Sequence, residues 1–189
     1  MRRVVVATIL MLLTACSNGH LNNENIQMLA PGVALTLPET QPFGENVDAV
    51  QLVQARYRDR HQAFQSMIET GGQRFTVLMT VPSGPRIMRV DWGAGSVTAR
   101  KETIAPANLS PERMLADLML IYAPSDVLRT AISGGTFVVM DESMRKVLRD
   151  GREIVAVTRP GGDSWEGHAT LVNFAYDYAL DIQSHRIAP

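Results

Sequence analysis

From Val33 onward, apolar and polar residues alternate with a period of two, and no other feature constrains the fold as strongly. Residues 75–81 and 88–92 each place their large apolar side chains on one face, with one exception in the first segment. This alternation is typical of strands that bury a single face. Turn-forming residues at 82–85 and 93–95 separate these segments. We therefore predict an antiparallel meander.

The same pattern returns in the second half of the chain. Asp150-Gly151 has the composition of a type I′ hairpin turn between two of the later segments. Further strands are predicted at 96–101, 137–141, 145–149, 153–159, 165–173 and 178–186.

Two helices are predicted between the two groups of strands. Ser110 is a favourable N-cap, and Pro111 suits the first helical position. Apolar residues then follow at the i, i+3, i+4, i+7 spacing of one helix face: Leu115, Leu118, Met119 and Tyr122. Pro124 ends this helix, and a shorter one is expected over 125–132.

A long sheet with one apolar face must curl or be covered, and the helix pair is the cover that the sequence offers. The predicted fold class is α+β, with a curved antiparallel sheet that forms an incomplete, half-open β-barrel under a helical lid.

The N-terminal segment has the features of a secretory signal. Arg2 and Arg3 precede an apolar run that is shorter than the roughly 18 residues needed to span a bilayer. The run ends in Leu13-Thr14-Ala15-Cys16, which resembles the lipobox of bacterial lipoproteins, in which the cysteine is lipidated. We expect a signal peptide at 1–15, a lipidated N-terminus and flexible tether at 16–32, and a single half-barrel domain at 33–189.

Composition excludes some classes of function. Removal of the signal would take two of the 18 basic residues and none of the 19 acidic ones, leaving a net charge of −3. Such a chain has no basic surplus for binding nucleic acid. Cys16 is the only cysteine, so no internal disulfide can form and stability must come from the core.

Several blocks of sequence resemble a family of proteobacterial outer-membrane lipoproteins of unknown function associated with aryl polyene biosynthesis loci. These blocks are residues 110–120, Ala123-Pro124, residues 161–167 and residues 173–178. That family is similar to the lipoprotein localisation factors LolA and LolB, which hold acyl chains inside an unclosed barrel. The resemblance, with Ser17 after the lipidated cysteine, implies a lipid-anchored protein on the periplasmic face of the outer membrane.

The function expected is binding or receipt of an acylated or polyene lipid, or of a lipoprotein, in an apolar cavity. A LolA-like periplasmic carrier is a further candidate partner. The alternative is a structural or assembly lipoprotein of the envelope that docks another protein and has a filled core. Candidate cavity residues are Phe75, Val77, Met79, Met88, Val90, Leu115, Leu118 and Met119. Adaptable methionines favour a cavity, namely Met67, Met79, Met88, Met114, Met119 and Met140.

An enzyme is not expected. Gly162-Asp163-Ser164 resembles the nucleophile block of a lipase and esterase family, but turn residues in a late turn explain it as well. Asp181 and His185 are the nearest candidate partners, at the wrong spacing. Glu166 and His168 share one strand face and are expected to pair with each other in solvent. The histidines show no metal-ligand spacing, and no residue pattern requires a cofactor.

Overall fold

A computed structural model of the chain describes residues 25–44, 46–93, 95–159, 161 and 165–187. The signal peptide and Cys16 lie outside these residues. Two helices are present in the described part, α1 (Pro111–Tyr122) and α2 (Ser125–Ala131). The strands are β1 (Ile26–Ala30), β2 (Val33–Thr36), β3 (Val47–Tyr57), β4 (Arg60–Gly71), β5 (Arg74–Thr80), β6 (Arg86–Gly93), β7 (Ser96–Lys101), β8 (Ile132–Ser133), β9 (Thr136–Val139), β10 (Met144–Arg149), β11 (Arg152–Thr158), β12 (Gly167–Asn173) and β13 (Tyr178–Arg186).

Ten strands form one antiparallel sheet in the order β7-β6-β5-β4-β3-β13-β12-β11-β10-β9. The predicted antiparallel arrangement is confirmed, as is the insertion of the helices between its two halves. β13 pairs with β3 along nine residues, which joins the C-terminal half of the sheet to the N-terminal half. β7 and β9 are the two edges and do not pair with each other, so the sheet is open and is not a closed barrel.

The backbone conformations of the turns agree with the residue types found in them. Asp150 and Gly151 both have positive φ, at 51° and 74°, as a type I′ turn requires. Ser83 has a φ of 53° in the predicted turn between β5 and β6. The hairpin of β3 and β4, which the sequence pattern did not single out, is the longest in the sheet, with eleven paired positions.

The expected flexible tether is wrong for its last part. Ile26–Ala30 forms β1, which pairs with β2 in a second, three-stranded sheet completed by β8. Leu29 is buried at 1 % exposure, and its carbonyl accepts a hydrogen bond of 2.9 Å from the side-chain amide of Asn173 in β12. The three-stranded sheet therefore belongs to the folded domain. The large sheet is covered by this small sheet as well as by the helix pair.

The helix boundaries follow the predicted capping residues. The Ser110 side chain accepts a hydrogen bond of 3.2 Å from the Arg113 amide, and Pro111 occupies the first turn. α1 ends at Tyr122, two residues before Pro124. The predicted inward residues of α1 are all buried: Leu115, Leu118, Met119 and Tyr122.

The core lies on one face of the large sheet. Alternate residues of β3, β4, β5 and β13 are buried there, beneath α1.

Arg145 of β10 reaches the C-terminal end of α1, where Nη1 donates to the carbonyl oxygens of Ala123 at 2.7 Å and Leu120 at 3.3 Å. The last turn of α1 has no basic residue of its own, so Arg145 satisfies these helix-end carbonyls from a neighbouring strand.

Replacing Arg145 by Ala should lower the free energy of unfolding by about 3 kcal/mol, because the carbonyls lose charge-assisted hydrogen bonds and a buried side chain leaves a gap. Burial and the nearby Arg159 lower the pKa of Arg145 to about 10, so the guanidinium stays charged at neutral pH. Urea denaturation measures the loss. The matched control is Arg152→Ala on the exposed start of β11, which should change stability by less than about 0.5 kcal/mol. Equal losses in both variants would contradict a capping role for Arg145.

Candidate functional site

The space between α1 and the large sheet is filled at one end by aromatic side chains. Phe43, from the segment before β3, lies 4.6 Å from Phe75 and 5.9 Å from Trp92 between ring centroids. Trp165 stacks on Tyr122 of α1 at 4.0 Å with nearly parallel rings. These five rings are all buried, and we call them the aromatic cluster. Trp165 is a core residue, and it does not line the cavity described next.

At the other end, beneath the first turns of α1, the same space is open. A cavity of about 270 Å³ lies between α1 and strands β3, β4, β5 and β13. Its wall is mostly apolar: Val53, Ala55, Phe64, Val77, Met79, Leu109, Met114, Leu118, Ile121, Leu180 and Ile182 contribute to it. Concave apolar sites of this kind between a helix and a sheet are where small apolar ligands bind.

Three of the eight candidate cavity residues, Val77, Met79 and Leu118, line this cavity. The other five are buried at 0 % exposure in the packed part of the interior: Phe75, Met88, Val90, Leu115 and Met119. Strand alternation places a residue on the correct face of the sheet, but it does not decide whether a neighbour fills the space above that residue. Phe75 shows this directly, because Phe43 packs against it.

The methionines are spread over three environments. Met79 and Met114 line the cavity, and Met88 and Met119 are fully buried. Met67 and Met140 lie on the surface, with exposures of 51 % and 57 %. Of the six methionines predicted to favour a cavity, two therefore line it.

One face of α1 lines the cavity, and this face includes an acidic residue. Met114, Asp117, Leu118 and Ile121 follow the i, i+3, i+4, i+7 spacing and all line the cavity. The Tyr178 hydroxyl donates a hydrogen bond of 2.6 Å to Asp117 Oδ1. Burial raises the pKa of Asp117 to about 7, although this hydrogen bond and the charge of Arg113 act in the opposite direction.

A buried polar network closes the cavity toward the aromatic cluster. The Gln51 side-chain amide donates to the Tyr122 hydroxyl at 2.7 Å and to the Ser184 hydroxyl at 2.9 Å, and these hydroxyls are 3.0 Å apart. Burial raises the pKa of Tyr122 to about 12, so its hydroxyl stays protonated. The network ties α1 to the paired strands β3 and β13, which fixes this end of the cavity wall.

Arginines and tyrosines surround the mouth of the cavity. Arg56 and Arg60 come from the two ends of the β3–β4 turn, and Arg113 comes from the first turn of α1. The Arg113 guanidinium lies 4.7 Å from the ring centre of Tyr176 and 5.4 Å from that of Tyr178. These cation–π contacts hold Arg113 at the edge of the cavity.

The hydrolase alternative gains no support from the described residues. Gly162-Asp163-Ser164 lies outside them. Asp181 and His185 do not pair, because Asp181 contacts His168 at 2.9 Å and His185 contacts Glu166 at 3.1 Å. The expected pairing of Glu166 with His168 is thus wrong, and each residue pairs across to β13 instead.

Within the described ranges, no group of three or more His, Cys, Asp or Glu side chains is placed to hold a metal ion. In that same part of the chain, neither helix combines the length and the apolar character needed to cross a bilayer.

The fold and the cavity define a class of mostly antiparallel β-protein whose open sheet carries two short helices. The chain belongs to the family described as "Protein of unknown function (DUF3261)", whose match covers residues 48–186. That match includes the ten-stranded sheet except Val47, the first residue of β3, and it includes both helices and all the residues that line the cavity. No curated protein matches the chain.

Proposed function

We propose that this protein is a membrane-anchored binding protein that receives an acyl or polyene chain in the cavity beneath α1. The observation that carries the proposal is the difference in packing between the two ends of the space beneath α1. The aromatic cluster packs one end tightly, whereas about 270 Å³ remains open at the other end behind a mostly apolar wall. Protein interiors are normally close-packed, so an unfilled apolar space of this size favours a ligand.

The proposed architecture is a half-open barrel with α1 and α2 as its lid, similar to LolA and LolB. Two features support it. The edge strands β7 and β9 are left unpaired with each other, and the buried residues of the ten strands lie on a single face. A sheet of this size with one buried face curls around its core.

The proposed location is the periplasmic face of the outer membrane, with Cys16 lipidated. The first strand of the described part of the chain, β1, begins at Ile26, ten residues after Cys16. Even a fully extended chain of that length reaches only about 35 Å. The anchor would therefore keep the cavity close to the membrane surface, which suits transfer of an apolar chain to or from the bilayer.

A second candidate function is docking of another envelope protein by a domain with a filled core. The observation that favours it is the complete burial of five candidate cavity residues in packed surroundings. The two proposals differ in one measurable property, which is whether the protein takes up a hydrocarbon.

Uptake can be measured on the full chain carrying Cys16→Ser, which removes the protein's own lipid as a competitor for the cavity. We expect the fluorescence of 1-N-phenylnaphthylamine to rise on addition of protein and to fall again on addition of dodecanoate. Mass spectrometry of the wild-type protein purified from its native membranes should show a co-purified hydrocarbon ligand. A protein that shows no probe uptake and yields no ligand would refute lipid binding and favour the docking function.

A further inference from the structure

The wall of the cavity and its mouth differ in charge, and this difference indicates which class of ligand the cavity can bind. Three cations line the site, namely Arg56, Arg60 and Arg113, and all belong to elements at the mouth. Among the described residues, Asp117 is the only acid in the lining, and it lies one helical turn further along α1 than Arg113. The site therefore has a positive rim, an apolar wall and a buried carboxyl.

The three arginines are not equally engaged by the protein. Arg56 has one weak ion pair with Asp177 at 4.0 Å, in which both side chains are substantially exposed. Arg113 is held against Tyr176 and Tyr178. The Arg60 side chain is exposed and makes no ion pair or hydrogen bond within the described residues, so its guanidinium is available to an anion. Guanidinium groups bind carboxylate and phosphate with paired hydrogen bonds.

The volume of the cavity limits how much hydrocarbon can enter. A methylene group occupies about the same 30 Å³ as a water molecule in the liquid, so about 270 Å³ holds roughly nine of them. This is one chain of medium length. The two chains of a phospholipid or the three chains of a bacterial lipoprotein exceed this volume, so most of their methylene groups would lie outside the cavity.

We propose that the ligand is a single-chain amphiphile with an anionic head, bound with its hydrocarbon under α1 and its head at Arg60 and Arg113. This inference rests on the proposed lipid-binding function and narrows it to one ligand class. The apolar wall reinforces the orientation, because a charged head placed against it would lose its hydration. The head is a carboxylate or a phosphate, since both bind guanidinium groups in the same way.

Four ligands that share a dodecyl chain test the head group: dodecanoate, dodecyl phosphate, dodecanol and dodecyltrimethylammonium. Each is titrated against 1-N-phenylnaphthylamine bound to the full-length Cys16→Ser protein at low salt. We expect the two anions to displace the probe at least tenfold more effectively than dodecanol, and the cation to be the weakest. The stronger of the two anions identifies the head as carboxylate or phosphate.

Arg60→Gln should weaken the binding of the preferred anion about tenfold and leave dodecanol unchanged, and Arg113→Gln should act in the same direction. The matched control is Arg152→Gln, an exposed arginine that does not line the cavity. Displacement by all four ligands with equal strength would overturn the anionic head while leaving lipid binding intact. Displacement by none of them would overturn lipid binding itself.

A chain-length series tests the single-chain limit. From hexanoate to decanoate, affinity should rise about fourfold for each added methylene, since each buries a constant apolar area. Beyond about ten carbons the rise should stop, because further methylenes remain in water. A rise that continues unchanged to hexadecanoate would overturn the size limit.

Discussion

Replacing Ala55 by Phe is expected to abolish uptake of 1-N-phenylnaphthylamine and dodecanoate. Ala55 lies on β3 and lines the cavity, so a phenyl ring at this position extends into the open space that the ligand would occupy. The added ring gains apolar burial and fills an existing void, so the variant should unfold at an equal or higher urea concentration. We expect at least a tenfold loss of affinity, which corresponds to about 1.4 kcal/mol.

Ala63→Phe is the matched control. Ala63 is an exposed residue of β4 and pairs with Gln54, the residue that precedes Ala55 in β3. Ala63 therefore lies close to Ala55 but on the outer face of the sheet. It does not line the cavity, and a phenyl ring there should leave ligand affinity unchanged. If both variants bind the probe as the wild type does, the hydrocarbon lies elsewhere and the cavity beneath α1 is not the binding site.

The strands and helices that were correctly predicted share one property, which is a strong local signal. The alternation in β5 and β6 predicted strands with the correct buried face. Ser110 and Pro111 predicted the start of α1. In contrast, β1 is short and has no clear alternation, and it depends on a long-range contact between Asn173 and the Leu29 carbonyl. The pairing of β3 with β13 also joins distant segments, which no local pattern can predict.

The candidate site was predictable only in part, because a cavity is what remains after side chains from distant segments have packed. Alternation identified Val77, Met79 and Leu118 as inward-facing. It could not show that Phe43, from an irregular segment, fills the space above Phe75.

One signal was present in the sequence and was missed. Met114, Leu118 and Ile121 form an apolar helix stripe that is interrupted by Asp117. An acid within an apolar stripe is costly unless it has a partner or a role.

Asp117→Asn is expected to change how stability depends on pH. Burial raises the pKa of Asp117 from 3.8 to about 7, so the folded protein favours the neutral acid. Between about pH 4 and pH 7 the folded state holds a proton that the unfolded state has released, and stability therefore falls as pH rises through this window. The shift of about three pKa units corresponds to a loss of about 4 kcal/mol, fully developed above pH 7.

The amide variant has no carboxyl to ionise, and its oxygen can still accept the hydrogen bond from Tyr178. Urea denaturation at pH 4.5 and pH 8.5 should therefore show a smaller loss of stability with rising pH than in the wild type, and the variant should be the more stable protein at pH 8.5. Asp126→Asn, at an exposed carboxyl in the first turn of α2, is the matched control and should retain the wild-type pH dependence. If Asp117→Asn lowers stability by the same amount at both pH values, the buried carboxylate does not destabilise the folded protein, and its neighbours Tyr178 and Arg113 compensate its burial fully.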